Sequence, residues 1–285
     1  MSENPRRARQ AEIINSVYPI RAVQRLGNGV YRVLRGNKIP DSYKRHSVPK
    51  RGKITHMSSK SNARLIATVQ TTDVQFNSMI TLTYPAVYPK SGFSVKADIR
   101  YFLTWLQRQS PTEYLWFLEF QQRGAPHCHL LVEQDILSPR VTVRSGIKWT
   151  EIIADRDVFL RECEEVGLSY GQEVSKSLSV NTHPKFWELL RSGEGAKRYV
   201  TKYAAKSMQK EVPSDYQNVG RFWACSERVS ERYNSSGIEI DVSDDELRDY
   251  LARHGHAAAD WDVLPKIIFG VKDTPLPPGG NNGKV

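Results

Sequence analysis

Hydrophobic and polar positions change period along the chain, and the changes mark out its elements. Met79-Ile80-Thr81-Leu82-Thr83-Tyr84 alternates, is rich in β-branched residues and stops at Pro85, which predicts a strand over residues 76–83. Residues 95–109 switch to a helical period, with Ile99, Phe102, Leu103 and Leu106 on one side. Residues 114–120 (YLWFLEF) are almost continuously apolar and read as a buried strand. Residues 121–126 turn the chain, and 127–132 return as the antiparallel hairpin partner. Upstream, Ser58-Ser59-Lys60-Ser61 offers an N-cap to a short helix over 63–69, with Leu65, Ile66 and Val69 on one side. Residues 150–166, 182–190, 195–208 and 244–252 read as helices, and 222–225 as a short strand. No internal repeat is present.

The ends of the chain lack such periods. Residues 1–58 are punctuated by Gly27-Asn28-Gly29, Gly36-Asn37, Pro40-Asp41 and Pro49, and read as loosely structured. Residues 275–285 (PLPPGGNNGKV) read as a disordered tail. The expected organisation is an extension over 1–58, a main domain over 59–230, a helical extension over 231–270 and a tail over 271–285.

Composition bounds the class. A chain of 285 residues, 39% hydrophobic and 25% charged, buries one core or at most two and suits a soluble globular protein. No run approaches the ~18–20 apolar residues of a membrane span, and the Arg-rich start has no apolar signal segment. Cys128, Cys163 and Cys225 are isolated, which implies neither a disulfide framework nor a zinc cluster and suggests a reducing cytoplasm. The net charge of +10 is unevenly spread: residues 1–60 hold 14 Lys and Arg against three acids, leaving 27 basic and 28 acidic residues for the rest. A basic arm of this kind fits a phosphate-bearing partner such as nucleic acid; the bland alternative is a solvated tail.

Within the predicted hairpin, His127 and His129 share one strand face about 7 Å apart along the chain. Two imidazoles projecting together are half of a metal site. Glu119, a carboxylate in an otherwise apolar strand, is the best third ligand, because the hairpin brings it towards His127 and an unpaired buried charge is costly. Gln121, on the same face, is its rival; an ion pair of Glu119 with Arg123 is the purely structural alternative. His254-Gly255-His256 has the same spacing but no strand pattern around it, and reads as a solvated helix end.

A second group lies downstream, in Lys-Arg-Tyr-Val-Thr-Lys-Tyr-Ala-Ala-Lys at 197–206. On a helix, Tyr199 and Tyr203 share a face, as do Lys202 and Lys206. Packed tyrosines with solvated lysines would give the same pattern. One chemistry, however, uses both groups. A phenol with a pKa near 10 is a weak nucleophile at neutral pH. Its attack on a phosphodiester needs a divalent cation to polarise the phosphate and a lysine to offset developing charge. Together the residues specify transesterification of DNA to tyrosine, with Tyr199, Tyr203, Lys202 and Lys206 as the catalytic set. Arg123, Lys197 and Arg198 are candidate DNA contacts.

These residues resemble the HUH endonucleases, in particular the replication initiators of rolling-circle plasmids and single-stranded DNA phages. The run from Met79 to Pro85 is similar to the family's first, structural motif. Pro126-His127-Cys128-His129-Leu130-Leu131 resembles its metal motif, and Tyr199-Val200-Thr201-Lys202-Tyr203 its two-tyrosine catalytic motif. Residues 58–65 and Val219-Gly220-Arg221-Phe222-Trp223 resemble segments of filamentous-phage initiators, so the likeness covers roughly 58–228. It implies an α+β fold with a central antiparallel sheet flanked by helices, and Mg²⁺ or Mn²⁺ held by Glu119, His127 and His129. It also implies nicking of a single-stranded or hairpin origin through a 5′-phosphotyrosyl bond, releasing a 3′-OH for a host polymerase. The second tyrosine would then serve strand closure. Trp116, Trp149 and Tyr170 could stack exposed bases, with core packing as the alternative for each. No G-x-x-x-x-G-K-[ST] occurs, so strand separation would fall to a host helicase in the bacterial cytoplasm.

Two alternatives stay open at this level. A mobilisation relaxase or single-strand transposase would use the same chemistry, although relaxases usually place the nucleophile before the histidine motif. A non-catalytic nucleic-acid-binding module would explain the basic arm but leave His127, His129 and Glu119 without a purpose.

Overall fold

A computed structural model describes residues 20–27, 30–35, 53–133, 139–190, 193–205, 211–234, 238–240, 242–253, 256–257 and 267–268. The chain divides into two compact units, one of residues 51–230 and one of 1–50 with 231–285. In chain order the elements are β1 (Ile20–Gly27), β2 (Val30–Arg35), α1 (Ser59–Thr71), β3 (Ser78–Thr83), α2 (Gly92–Gln109), β4 (Tyr114–Phe120) and β5 (Pro126–Val132). There follow α3 (Pro139–Ala154), α4 (Phe159–Glu165), α5 (Tyr170–Asn181), a 3-10 turn (Pro184–Phe186), β6 (Trp187–Leu189) and α6 (Gly193–Ala205). The last are β7 (Trp223–Cys225), α7 (Glu227–Asn234), β8 (Ile238–Ile240), α8 (Asp244–Arg253) and β9 (Ile267–Ile268).

Residues 51–230 form an α+β unit around an antiparallel five-stranded sheet of order β6-β3-β5-β4-β7. β5 is central because its sequence is apolar on both faces; Cys128, Leu130, Leu131 and Val132 are all buried. The β4–β5 connection is as tight as the sequence implies. Gln121 and Gly124 close it with backbone bonds, from Gln121 N to Ala125 O and from Gly124 N to Gln121 O. Gly124 has φ +80°, a left-handed conformation that favours glycine. Pairing then sets Glu119 opposite His127 and Phe117 opposite His129, while Thr83 and Thr81 flank the histidines from β3. Directly paired residues share a face, so all six side chains rise from one side of the sheet.

Helices cover both sides. On the histidine side, Trp223 of β7 donates to Ser61 of α1, and Gln70 of α1 reaches Thr201 of α6. On the other side, Val95, Ile99, Phe102 and Leu106 of α2 enter the core, as their spacing predicts. Ser58 caps α1 by accepting from Ser61 N, also as expected. α3 and α5 approach very closely: a Cβ on Gly146 would lie 1.9 Å from Asn181 O, so only glycine fits there.

Three stretches differ from the sequence reading. The helix expected over 182–190 is instead a 3-10 turn and the edge strand β6, paired to Ser78–Ile80 of β3. Pro184 sits in the first turn, where it is tolerated, but the turn gives way to extended backbone at Trp187. The helix expected over 150–166 is two helices, α3 beginning eleven residues earlier and α4 starting at Phe159. α5 was not anticipated at all.

The other unit is built from the two ends of the chain. β1 and β2 pair as an antiparallel hairpin, with β8 against β1 and β9 against β2. Val23, Tyr31, Val33, Val242, Leu247, Tyr250, Leu251 and Ile268 form its core. Residues 20–27 and 30–35 are therefore strands where loose structure was expected. The Asn28-Gly29 dipeptide, read as punctuation, is also a strong hairpin signal in sequence. The tail over 271–285, Lys206, His254 and the basic residues of 1–19 and 36–52 lie outside the described residues.

Candidate active site

β5 delivers the two histidines side by side, their ring centroids 4.7 Å apart at an interplanar angle of 83°. His129 is 5% exposed and stacks on Phe117, with centroids at 5.1 Å. Its Nε2 lies 3.5 Å from Glu119 Oε2, and Glu119 is equally buried. A carboxylate held this deep needs an electropositive partner to offset its lost hydration. The expected structural alternative for it is not what forms. Arg123 instead donates to the carbonyls of Tyr84 and Pro85, at 2.6 Å each, and to Gln121 Oε1 at 2.9 Å. The guanidinium thus clamps the β4–β5 turn to the end of β3.

Each histidine has its Nδ1 engaged by a threonine from β3. Thr83 Oγ1 is 3.2 Å from His127 Nδ1, and Thr81 Oγ1 is 3.4 Å from His129 Nδ1. Gln121 Nε2 adds a contact to His127 Nδ1 at 3.3 Å. Such contacts fix ring orientation and direct Nε2 towards any ligand, the role of partners behind a metal-binding imidazole. Burial, the neighbouring His129 and Arg123 depress the His127 pKa to about 3, so the ring is neutral and its lone pair available at neutral pH.

These threonines were not singled out in the sequence. The signal was present, since Thr81 and Thr83 alternate in step with His127 and His129 once the β3–β5 register is known.

Asn181 was also missed. It is fully buried at the end of α5, and its amide treats β3 as a strand neighbour would. Nδ2 donates to Thr83 O at 3.1 Å, and Thr83 N donates to Oδ1 at 3.4 Å. Ser177 O and Oγ also accept from Nδ2. Glu173, two helical turns earlier and fully buried, accepts from Ala86 N at 3.0 Å and from Lys176 at 2.7 Å. α5 thereby fixes the backbone on both sides of Pro85, and through Thr83 the ring of His127.

The tyrosine helix closes over this face. Val200 and Ala196 anchor α6 in the core, which turns Tyr199 towards the sheet. Its hydroxyl lies 3.2 Å from His129 Nδ1, and its ring is 6.3 Å from that of Phe117. Lys202, one turn on, is exposed, as is Arg198, while Lys197 is half-buried. Tyr203 lies on the same helix, but its side chain, like the whole of Lys206, falls outside the described residues. Of the aromatic residues considered for base stacking, Trp149 and Trp116 are core residues, whereas Tyr170 is 37% exposed.

The donor set suits a divalent cation chemically: two imidazoles, one of them neutral by burial, and a carboxylate on one face. Among the described residues, no three His, Cys, Asp or Glu side chains gather tightly enough to hold an ion as they stand. Among these residues, too, no helix is long and apolar enough to cross a membrane.

No curated protein and no solved structure is matched by this chain. Residues 77–210 match the family described as replication-associated protein ORF2, a stretch running from just before β3 to just beyond α6 and containing Glu119, His127, His129, Tyr199 and Tyr203. Over this stretch, just under half of its length, the chain is similar to that family of rolling-circle replication initiators.

Proposed function

We propose that this protein nicks and rejoins DNA at a replication origin presented as a single strand or hairpin, using Tyr199 as a nucleophile. The observation that carries the reading is the 3.2 Å approach of the Tyr199 hydroxyl to His129, on a sheet face shared with His127 and Glu119.

Glu119, His127 and His129 would hold the divalent cation, Mg²⁺ or Mn²⁺. When bound, such an ion polarises the phosphate and offsets its charge. The remaining work falls to the chain itself. Phe117 and His129 fix the phenol, so that its oxygen meets the phosphate without a rotational search. The Tyr199 oxygen bonds to phosphorus and the P–O3′ bond breaks. The proton lost from the phenol is balanced by the one the leaving 3′ oxygen takes up. The products are a 5′-phosphotyrosine and a free 3′-OH, which a host polymerase extends. Lys202, with Lys206 further along, offsets charge developing on the phosphate. Tyr203 serves the second transfer, which closes the displaced strand. Arg123, Lys197, Arg198 and the basic residues of 1–60 hold the DNA, and a host helicase separates the strands.

The test is incubation with origin single strands and Mn²⁺, followed by a denaturing gel. A covalent protein–DNA adduct is expected. Binding without any adduct would leave a non-catalytic DNA-binding module. His127→Ala should abolish metal-dependent cleavage and retain DNA binding.

A further inference from the structure

The sheet has a second face, and a groove lies on it. Trp116 pairs with Leu130, one position out of step with Phe117 and His129, so Tyr114 and Trp116 point away from the histidines. Between these aromatics and α2 runs a groove of about 530 Å³, within the ~300–1,000 Å³ range of ligand sites. Its lining includes Lys96, Arg100 and Arg108 along α2, with Tyr114 and Trp116 on the sheet side, and among the described residues it contains no Asp or Glu.

A helix face bearing Arg and Lys is ordinarily only solvated, but Lys96 does not fit that description. It is half-buried, its ammonium donates to Val219 O, and it sits 6.0 Å from the Trp116 ring centroid. Burial lowers its pKa to about 8, so at neutral pH it is still mostly a cation kept partly out of water. Arg100 and Arg108 stand exposed two helical turns apart on the same side. Three cations without a lining carboxylate create a positive field, and a half-buried tyrosine above an apolar floor offers a surface for a planar ring. Phosphate and base together satisfy both features.

We infer that the α2–β4 groove is a second nucleic-acid site, which takes a single-stranded segment with phosphates on Arg100 and Arg108 and a base against Tyr114. It lies on the sheet face opposite Tyr199, so it can hold DNA that is not being cut while the histidine face is occupied. The same chemistry would accept a free nucleotide, and the experiment separates the two sources. The inference does not require Tyr199 to be a nucleophile.

The experiment titrates the full-length protein with a labelled 30-nucleotide and a labelled 6-nucleotide single strand over a range of salt. Arg100→Ala/Arg108→Ala should reduce the salt slope of log affinity for the 30-mer by about 1.4, from ~0.7 per lost phosphate contact. Tyr114→Leu should weaken the 30-mer roughly 10-fold, as loss of one stacked base does. Nicking of the 6-mer should be unchanged in both variants. Arg161→Ala/Lys185→Ala, which removes equal charge from exposed positions outside the groove, should leave the slope within a few tenths of wild type. An unchanged slope in the groove variant, or an equal loss in this control, overturns the inference. So does full displacement of the 30-mer by micromolar dTMP, which would make the groove a mononucleotide site. As a check independent of folding, ultraviolet cross-linking of an iodouracil-bearing 30-mer to the wild type should map to the peptide containing Tyr114 and Trp116. Absence of nicking alongside the expected slope change would remove the proposed function and leave the groove standing.

Discussion

The Tyr199 hydroxyl lies 3.2 Å from His129 Nδ1, although seventy residues separate them in the chain. A contact this close ties the nucleophile candidate to the metal-face candidate through one hydrogen bond. Tyr199→Phe should lower formation of the covalent adduct by roughly 100-fold or more while leaving the ring's packing on Phe117 intact. Adduct formed in single turnover, with thermal unfolding as a control, checks this. Nicking that survives in the single variant should fail to complete strand closure, and the Tyr199→Phe/Tyr203→Phe pair should be inactive. A fully active double variant would place the nucleophile elsewhere.

Thr83 acts through His127. Replacing it with Val keeps the β-branched shape that suits a strand and deletes only the hydroxyl that holds Nδ1. The expected result is a 10- to 100-fold rise in the Mn²⁺ concentration needed for half-maximal nicking, roughly the usual effect of losing such a support. Stability should fall by only about 1 kcal/mol. Unaltered Mn²⁺ dependence would mean that Gln121, at 3.3 Å from the same nitrogen, suffices to hold the ring.

The contrast between Thr83 and Asn181 shows where sequence reading stops. YLWFLEF and PHCHLLV announce a hairpin because period-two patterning and a short turn are local properties. The register then follows, and with it the pairing of Glu119 with His127. The tyrosine helix was legible for the same reason. What was not legible depends on contacts between distant segments. β6 has three residues, too few for a period, and exists because the edge of β3 accepts it. Asn181 reads as a polar residue near a helix end; only the fold brings it to Thr83, ninety-eight positions away. The hairpin of β1 and β2 was masked by its Arg and Gln residues, and its partners are strands of two and three residues at the other end of the chain.

Asn181→Ala should therefore be costly. It strips Thr83 N and O of a buried partner and opens a gap behind β3, where Gly146 shows that α3 and α5 are already in backbone contact. Leaving buried polar groups unpaired costs about 1–3 kcal/mol, and chemical denaturation should register a loss in that range. Nicking should decline as well, since the strand end carrying Thr83 is no longer fixed. Asn181→Asp, whose buried carboxylate would face the Thr83 and Ser177 carbonyls in place of the amide donor, should be at least as costly as the alanine variant. Wild-type stability in the alanine variant would show that Trp149, which also donates to Thr83 O, holds the strand alone.

Buried Asp98 and half-buried His127 make opposing contributions to stability at acid pH. Burial raises the Asp98 pKa to about 6, against the pull of Arg156 and of the Tyr84 hydroxyl that donates to it at 2.8 Å. An acid whose folded pKa lies above its unfolded value binds more protons when folded. Its stabilising contribution is complete below about pH 4 and is lost as pH rises towards 6. His127 behaves in the opposite sense. With its folded pKa depressed to about 3, it binds fewer protons when folded, so its contribution is lost as pH falls from about 6.5 towards 3. Between pH 4 and 6 the two slopes oppose each other and flatten the wild-type profile. Asp98→Asn removes one of them and keeps an acceptor for Tyr84. The variant should match the wild type near pH 4 and gain on it steadily up to pH 6, by at most about 3 kcal/mol for a shift of about two units. Urea denaturation across pH 4–7, with EDTA present so that metal binding does not couple to His127, measures both curves. If the curves run parallel, Asp98 is already ionised in the folded protein at pH 4, and Arg156 rather than burial governs its charge.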